Sequence, residues 1–423
     1  MRGAILAIGN ELVEGRVPNT TSFLAARRLF PLGYEIREIL TVPDDLALIK
    51  ESLRRFLGRY PFVIVSGGLG PTTDDLTNEA VAEALGLPLE VKEEVLKRIE
   101  AWEKEAGLPP NPLRRKMAKL PAGAVLLTNE KAMAGYYLKV GEKLIFCLPG
   151  VPQEFEYLLK ERVIPILLEH FPPEEVVRFK LYKIFGLREA DINLRLMELE
   201  ELPGVVLGYY PVLPEIHLSL TVKHPSKEKA EELFRQAEAK IYSLFGEYIF
   251  GENDDLLEAV VGRLLEERGE MLAVAESCTG GLISSRITRV PGSSAYFERG
   301  VVTYSNRAKQ EILGVPEEMI AKHGAVSEPV ALAMAEGIRN LARTNYGLSV
   351  TGIAGPTGGT PEKPVGTVWI GFSCREATVA QCFLFPGDRH LVQDFSATTA
   401  LDWLRRYLRY GTLVPRYQFA RRS

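Results

Sequence analysis

Met271-Leu272-Ala273-Val274-Ala275-Glu276-Ser277-Cys278-Thr279-Gly280-Gly281 is an apolar run that breaks into hydroxyl- and thiol-bearing residues and then a Gly-Gly step. Met271 to Ala275 reads as a buried strand, and Leu282 to Arg289 as the helix that the glycines open. A strand passing directly into a helix is the repeating unit of an α/β sheet. A side chain at such a junction is expected to meet the positive end of the helix and its free backbone N–H groups, where a nucleophile and its oxyanion donors belong. Downstream, Gly300-Val301-Val302-Thr303-Tyr304-Ser305-Asn306-Arg307-Ala308-Lys309 runs from a second strand into a helix, with Lys309 in its first turn. The two segments suggest a Ser–Lys hydrolase in which Cys278 is a rival nucleophile. The alternative is a tight structural turn followed by an exposed lysine.

Around this stretch the C-terminal part repeats the pattern. Strands are expected at Met271–Ala275, Gly300–Tyr304, Leu348–Thr351, Gly366–Ser373 and Thr378–Phe385, and helices at Leu256–Glu267, Leu282–Arg289, Pro329–Arg343 and Arg389–Tyr410. The last two strands follow one another directly, so the sheet is mixed. Glycine-dense turns fall at strand ends, as in Thr351-Gly352-Ile353-Ala354-Gly355-Pro356, and suit a phosphate or nucleotide. Arg389, opening the last helix, offers a bidentate grip on phosphate, or is an ordinary surface arginine. The N-terminal part, residues 1–170, alternates strand and helix from Ala4 to Leu85, which argues for a doubly wound parallel sheet with its ligand at the carboxyl ends of the strands. Residues 171–251 read as a small α+β unit acting as a spacer or assembly module, and 252–423 as the third domain.

The charge balance of 51 basic against 55 acidic residues, net −4, offers no general attraction to nucleic acid or an anionic membrane. No apolar run reaches the length of a membrane span and Gly9-Asn10-Glu11 interrupts any signal-like segment, so a cytoplasmic location is expected. The four cysteines lack Cys-x-x-Cys spacing and the five histidines are scattered, which makes a zinc site or a histidine-based triad a poor fit and a lysine base a better one.

The runs AESCTGG, SSAYFERGVVTYSN with its following AK, HGAVSEPVA, TGIAGP and KPVGTVW together resemble the C-terminal domain of the CinA family, whose members include nicotinamide mononucleotide deamidases. The resemblance extends over roughly Leu256 to Tyr410. It implies Ser277 as nucleophile, Lys309 as its base, and Tyr304, Thr351 and Arg389 as site residues. Thr279, Gly280, Gly281, Gly352 and Gly355 are expected beside the substrate, and no cofactor is expected for this half.

In the N-terminal part, Ser66-Gly67-Gly68-Leu69-Gly70-Pro71-Thr72-Thr73-Asp74-Asp75-Leu76-Thr77 follows one strand end, Thr41-Val42-Pro43-Asp44-Asp45 another and Gly9-Asn10-Glu11-Leu12 a third. Gly67, Gly68 and Gly70 suit close backbone approach to a phosphate, and the carboxylates suit a hard cation. These strand ends resemble the molybdopterin-binding fold of MogA and MoeA. Fused to a CinA-type half, that domain is associated with ADP-ribose pyrophosphatase activity, which releases AMP and implies a divalent metal (Mg, Mn or Co). Asp44 and Asp75 match the acidic positions of the molybdopterin proteins, while Asp74, Glu11 and Glu154 are candidate ligands by loop position alone. The middle unit falls where the family has a KH-like module, yet no Gly-x-x-Gly occurs between Arg178 and Phe250, so nucleic-acid binding is not expected.

The fold expected is therefore α/β: two α/β/α three-layer domains, the first doubly wound and the second mixed, joined by a small α+β KH-like module, assembled as a homodimer. A bifunctional enzyme of pyridine-nucleotide salvage is the leading reading. A nucleotide-binding scaffold linked to competence or recombination, and a molybdopterin carrier, stand beside it.

Overall fold

A computed structural model describes residues 1–127 and 134–418. Two compact units divide the chain, one of Met1–Val177 with Lys223–Ala230 and the other of Arg178–Val222 with Glu231–Ser423. Among the described residues no helix is long and apolar enough to cross a membrane.

In the first unit a parallel sheet is built from Arg2–Ile8, Glu35–Val42, Phe62–Ser66 and Lys143–Leu148, with Arg2–Ile8 between Glu35–Val42 and Phe62–Ser66. Strand residues alternate between two cores because successive side chains leave opposite faces of the pleat. Ala4, Leu6 and Ile8 pack with Ile49, Leu53, Phe56, Ala80 and Val81 from the helices Leu46–Arg59 and Thr77–Leu85. Ile5 and Ile64 pack on the other face with Ala25, Leu29 and Phe155. This is the doubly wound arrangement expected. The hairpin Tyr136–Val140 with Lys143–Leu148 adds antiparallel strands at one edge. The chain turns from Arg2–Ile8 toward one neighbour and from Phe62–Ser66 toward the other, leaving a crevice at their carboxyl ends.

The second unit holds two sheets. Val176–Ile184, Val205–Val212, Glu215–His224 and Ile249–Glu252 form a four-stranded sheet, and Ile192, Leu196, Phe234, Ala237 and Ile241 from two helices join its core. The other sheet orders Phe297–Val302, Leu272–Glu276, Tyr346–Gly352, Thr367–Ser373 and Thr378–Leu384, the first three parallel and the last two antiparallel. Leu272 and Val274 face a core shared with Val261, Leu265, Ile283 and the last helix, while Ala273 and Ala275 face Val330, Met334 and Ile338. The layers are helix, sheet, helix.

The last helix, Arg389–Tyr410, is buried along most of its length, including the charged residues Asp402, Arg405 and Arg406. Asp402, Arg405 and Arg406 are each 0% exposed. Asp402 Oδ1 accepts from Arg405 Nε at 2.7 Å, and its Oδ2 from Arg406 Nε at 2.8 Å and the Tyr417 hydroxyl at 3.0 Å. Arg405 continues to the carbonyls of Glu247 and Ile249, and Arg406 to that of Phe185, with its guanidinium over the rings of Tyr248 and Tyr417. The charged cluster thus joins the four-stranded module to the C-terminal core. Asp402→Ala leaves two buried cations without their anion and is expected to cost about 3–5 kcal/mol, the scale for breaking a buried pair. Urea unfolding checks this, and a wild-type midpoint contradicts it.

Candidate active sites

The C-terminal site forms where parallel strands end. Leu272–Glu276 delivers Ser277, Phe297–Val302 leads to Thr303 and Tyr304, and Tyr346–Gly352 leads into the loop through Gly355. Lys309 is the fourth residue of the helix Asn306–Leu313, whose N-cap is Ser305, its hydroxyl accepting from the Ala308 N–H. Far from being an exposed lysine, Lys309 is 1% exposed, and its Nζ lies 3.0 Å from Ser277 Oγ, 2.7 Å from the Thr303 carbonyl and 3.3 Å from the Tyr304 carbonyl. Burial holds its pKa below the ordinary lysine value of 10.5. A cation near the start of a helix also opposes the macrodipole, which acts in the same direction.

Two of the three partners of Nζ are carbonyls and accept only. A neutral amine satisfies this set with both its N–H bonds on the carbonyls and its lone pair facing the Ser277 hydroxyl. Cys278, the rival nucleophile, is buried, and burial raises its thiol to about 12, so it stays protonated at neutral pH.

A cavity of about 330 Å³ opens over this pair, and Ser277, Tyr304, Lys309, Thr351, Gly352, Gly355 and Arg389 all line it. Arg389 donates through Nη1 to the Gly355 carbonyl at 2.8 Å and through Nη2 to the Tyr304 hydroxyl at 3.0 Å, which holds a tyrosine that is 62% exposed. Thr351 Oγ1 donates to the Ala325 carbonyl at 2.8 Å. Ala325, Val326, Asn306 and Ile353 also line the cavity and were not anticipated, although Ala325 and Val326 belong to the HGAVSEPVA run.

Thr279, Gly280 and Gly281, expected beside the substrate, are not among the lining residues. The positive end of the helix is likewise not open to an oxyanion: the Glu276 carboxylate accepts from the N–H groups of Gly281, Ile283 and Ser284. This corrects the expectation of free helix N–H groups at the nucleophile. The carboxylate draws the helix entry back toward the strand, while Gly280 stays exposed to solvent outside the cavity.

The N-terminal crevice is a cavity of about 510 Å³ at the carboxyl ends of the parallel strands, and Glu11, Asp44, Gly67, Gly68, Gly70, Asp74, Asp75 and Glu154 all line it. Gly67 has φ +99°, and a Cβ there would lie 2.2 Å from the Ile8 carbonyl oxygen, so the strand end can close on its neighbour only without a side chain. Burial pushes the Asp44 carboxyl up against a hydrogen bond from Asn10, and the charges of Asp74, Glu11 and Asp75 push it further. Burial also raises Glu154. Asp75 is partly committed within its own loop, its Oδ2 accepting from the Thr72 N–H at 2.8 Å and from the Thr72 hydroxyl.

Among the described residues no three His, Cys, Asp or Glu side chains are close enough together to hold a metal ion. The all-oxygen donors and the mutual repulsion at Asp44 fit a hard cation held by one or two carboxylates together with oxygens of a bound phosphate, as magnesium usually is. Asp44 fits that role best and Asp75 less well.

The lower-scale organisation matches known families along the chain. Residues 4–169 match a probable molybdopterin binding domain, 180–251 the damage-inducible protein CinA KH domain, and 254–408 the CinA C-terminal domain. A CinA-like protein of Desulfotalea psychrophila is 45% identical over 405 residues, covering 96% of this chain and 98% of the relative. A CinA-like protein of Syntrophus aciditrophicus is 45% identical over 416 residues, covering 97% and 99%. The crystal structure of the competence/damage inducible protein CihA from Agrobacterium tumefaciens is 41% identical, covers 35% of this chain and 91% of that one, and superposes with a TM-score of 0.35. With relatives this similar over nearly its whole length, the chain belongs to the CinA family.

Proposed function

We propose that the C-terminal site hydrolyses the carboxamide of nicotinamide mononucleotide to nicotinate mononucleotide and ammonia. The observation that carries this reading is the bonding of Lys309 Nζ to two carbonyls and to Ser277 Oγ. In the reaction the Ser277 oxygen bonds to the carboxamide carbon while its proton passes to the Lys309 amine. The tetrahedral adduct collapses as that proton moves to the departing nitrogen; the C–N bond breaks, ammonia leaves, and the acyl group stays on Ser277 as an ester. Water then adds to the ester, giving its proton to Lys309, and the carboxylic acid departs as Ser277 regains a proton. Two of the five N–H donors of Arg389 are used within the protein, and the rest are free to meet the substrate phosphate. The positive pyridinium ring, bound beside Nζ, further favours the neutral amine.

The N-terminal crevice supports a second reaction, the hydrolysis of ADP-ribose to AMP and ribose 5-phosphate. The specific observation favouring it is the meeting of a glycine turn with the Asp44 carboxylate at one crevice. Asp44, with Asp75, would hold a divalent cation there, which would offset the charge of a diphosphate and polarise it toward water. The chain itself supplies the Gly67-Gly68 turn to seat the phosphates, and Asp44 and Glu154 as carboxylates whose pKa burial raises.

These readings fix the outcomes of three measurements. Ser277→Ala abolishes ammonia release from nicotinamide mononucleotide and Cys278→Ala keeps most of it, as read in a coupled ammonia assay; the reverse pattern removes serine from the mechanism.

Lys309→Arg loses roughly 10²–10⁴-fold in kcat, since a guanidinium cannot accept the proton. In the wild type, kcat rises with pH as Lys309 loses its proton, with a midpoint below 10.5, and falls as the pH drops through that midpoint. A midpoint at or above the ordinary lysine value assigns the base elsewhere.

A chelator stops ADP-ribose cleavage and leaves ammonia release intact, and Asp44→Ala reproduces the chelator. Equal loss of both reactions under chelation is incompatible with two independent chemistries.

A further inference from the structure

We propose that Glu276 is the positioning residue that sets Ser277 against Lys309. This rests on the reading of Ser277 as the nucleophile. Glu276 is 0% exposed, so its carboxylate is tolerable only if fully hydrogen-bonded. Oε2 accepts from the N–H groups of Gly281 at 3.0 Å and Ile283 at 3.1 Å, and Oε1 from the N–H of Ser284 at 2.9 Å and its hydroxyl at 2.7 Å. All four donors lie beyond the nucleophile in the chain, at the entry of the helix Leu282–Thr288. The carboxylate precedes the nucleophile by one residue and clamps the chain five to eight residues on. The turn carrying Ser277 is thereby closed at both ends.

The same residue also holds the base. Its backbone carbonyl accepts from the Thr303 N–H at 2.8 Å, and the Thr303 carbonyl accepts from Lys309 Nζ at 2.7 Å. Ser277 itself is tied sideways, its N–H donating to the Val350 carbonyl at 2.9 Å. One residue therefore fixes the nucleophile through its side chain and the base through its main chain. The neighbouring strand leaves room for this clamp. At Gly300 a Cβ would lie 1.9 Å from Ser284 Oγ, so only glycine lets the hydroxyl reach Glu276.

A carboxylate at a helix N-terminus is a strong electrostatic partner, and bonds to a charged acceptor are roughly twice as strong as neutral ones. Glutamine keeps the shape but offers one acceptor oxygen and turns an NH₂ toward the other donors. Misplacing a reacting group by an ångström costs on the order of 100-fold in rate.

The test uses the full-length chain and two readouts. One is the rate at which phenylmethanesulfonyl fluoride labels Ser277, followed by peptide mass with Ser277→Ala as control; the other is steady-state ammonia release from nicotinamide mononucleotide. In folded Glu276→Gln, labelling and kcat both fall about 10-fold or more while KM moves less than about 3-fold, and the pH midpoint stays in place because Lys309 is untouched. A residue that only stabilises the fold lowers the melting temperature and leaves these rates unchanged. Wild-type labelling and kcat in folded Glu276→Gln overturn the proposal. If that variant does not fold, Ser284→Ala decides: losing one of the four donors slows labelling roughly 3-fold, the scale of one hydrogen bond, and a wild-type rate overturns the proposal. If wild-type protein labels at Ser277 without releasing ammonia, the substrate is wrong and the positioning role is judged on labelling alone. If it does neither, the nucleophile reading falls and the proposal falls with it.

Discussion

Parallel strands that stop at a common level are the constraint from which both cavities follow. In the C-terminal sheet the ladder runs past the last strand residues: the Ser277 N–H meets the Val350 carbonyl and the Thr303 N–H meets the Glu276 carbonyl. In the N-terminal sheet the Gly9 N–H meets the Val42 carbonyl and the Gly67 N–H the Leu148 carbonyl. In each sheet the backbone is thus registered one residue beyond the strands, where side chains turn from packing to chemistry. Helices return along both faces and leave only this rim open.

The two rims use that registration differently. In the C-terminal one a lysine, a serine and a cysteine lie buried together at the floor of the cavity, and the local chemistry follows from what burial does to each group. The same desolvation lowers the amine and raises the thiol, so the two buried neighbours shift in opposite directions. The N-terminal rim is acidic, and its carboxylates repel one another at Asp44. One site sets an amine against a hydroxyl and the other gathers unbalanced negative charge.

Much of this was legible in the sequence because strand and helix periodicities differ and glycine marks the junctions. The bounds Arg389–Tyr410 were read as they stand, since Asp388 supplies an N-cap and Gly411 a left-handed C-cap. The strand-to-helix turns at Ser277 and Lys309 were equally plain. The helices Glu93–Glu105 and Glu317–His323 were not read. Glu93–Glu105 is dominated by charge, with Val95, Ile99 and Glu103 as its buried residues, so its apolar stripe is thin. Glu317–His323 is too short to show a period. The absence of Thr279, Gly280 and Gly281 from the cavity lining was hidden for another reason. It depends on where the Glu276 side chain goes, and glutamate after a strand usually signals solvent, not a fully buried clamp. Nor does a sequence pattern show that Arg405 and Arg406 are buried, since two adjacent arginines near a C-terminus ordinarily read as a solvated face.

The late position of the Asp402 cluster has a consequence for how the protein is made. Residues near the end of the chain complete the four-stranded module: the Gln418 side chain accepts from the Arg188 N–H across a separation of 230 residues, and Tyr417 stacks edge-on against Phe185. At ribosomal rates that separation is roughly 10–50 s of synthesis. Until the last helix is made, the nascent module presents Phe185 and the carbonyls of Glu247 and Ile249 that Arg405 will meet. The module is therefore completed only once Arg405, 156 residues after Ile249, and Gln418 have been made.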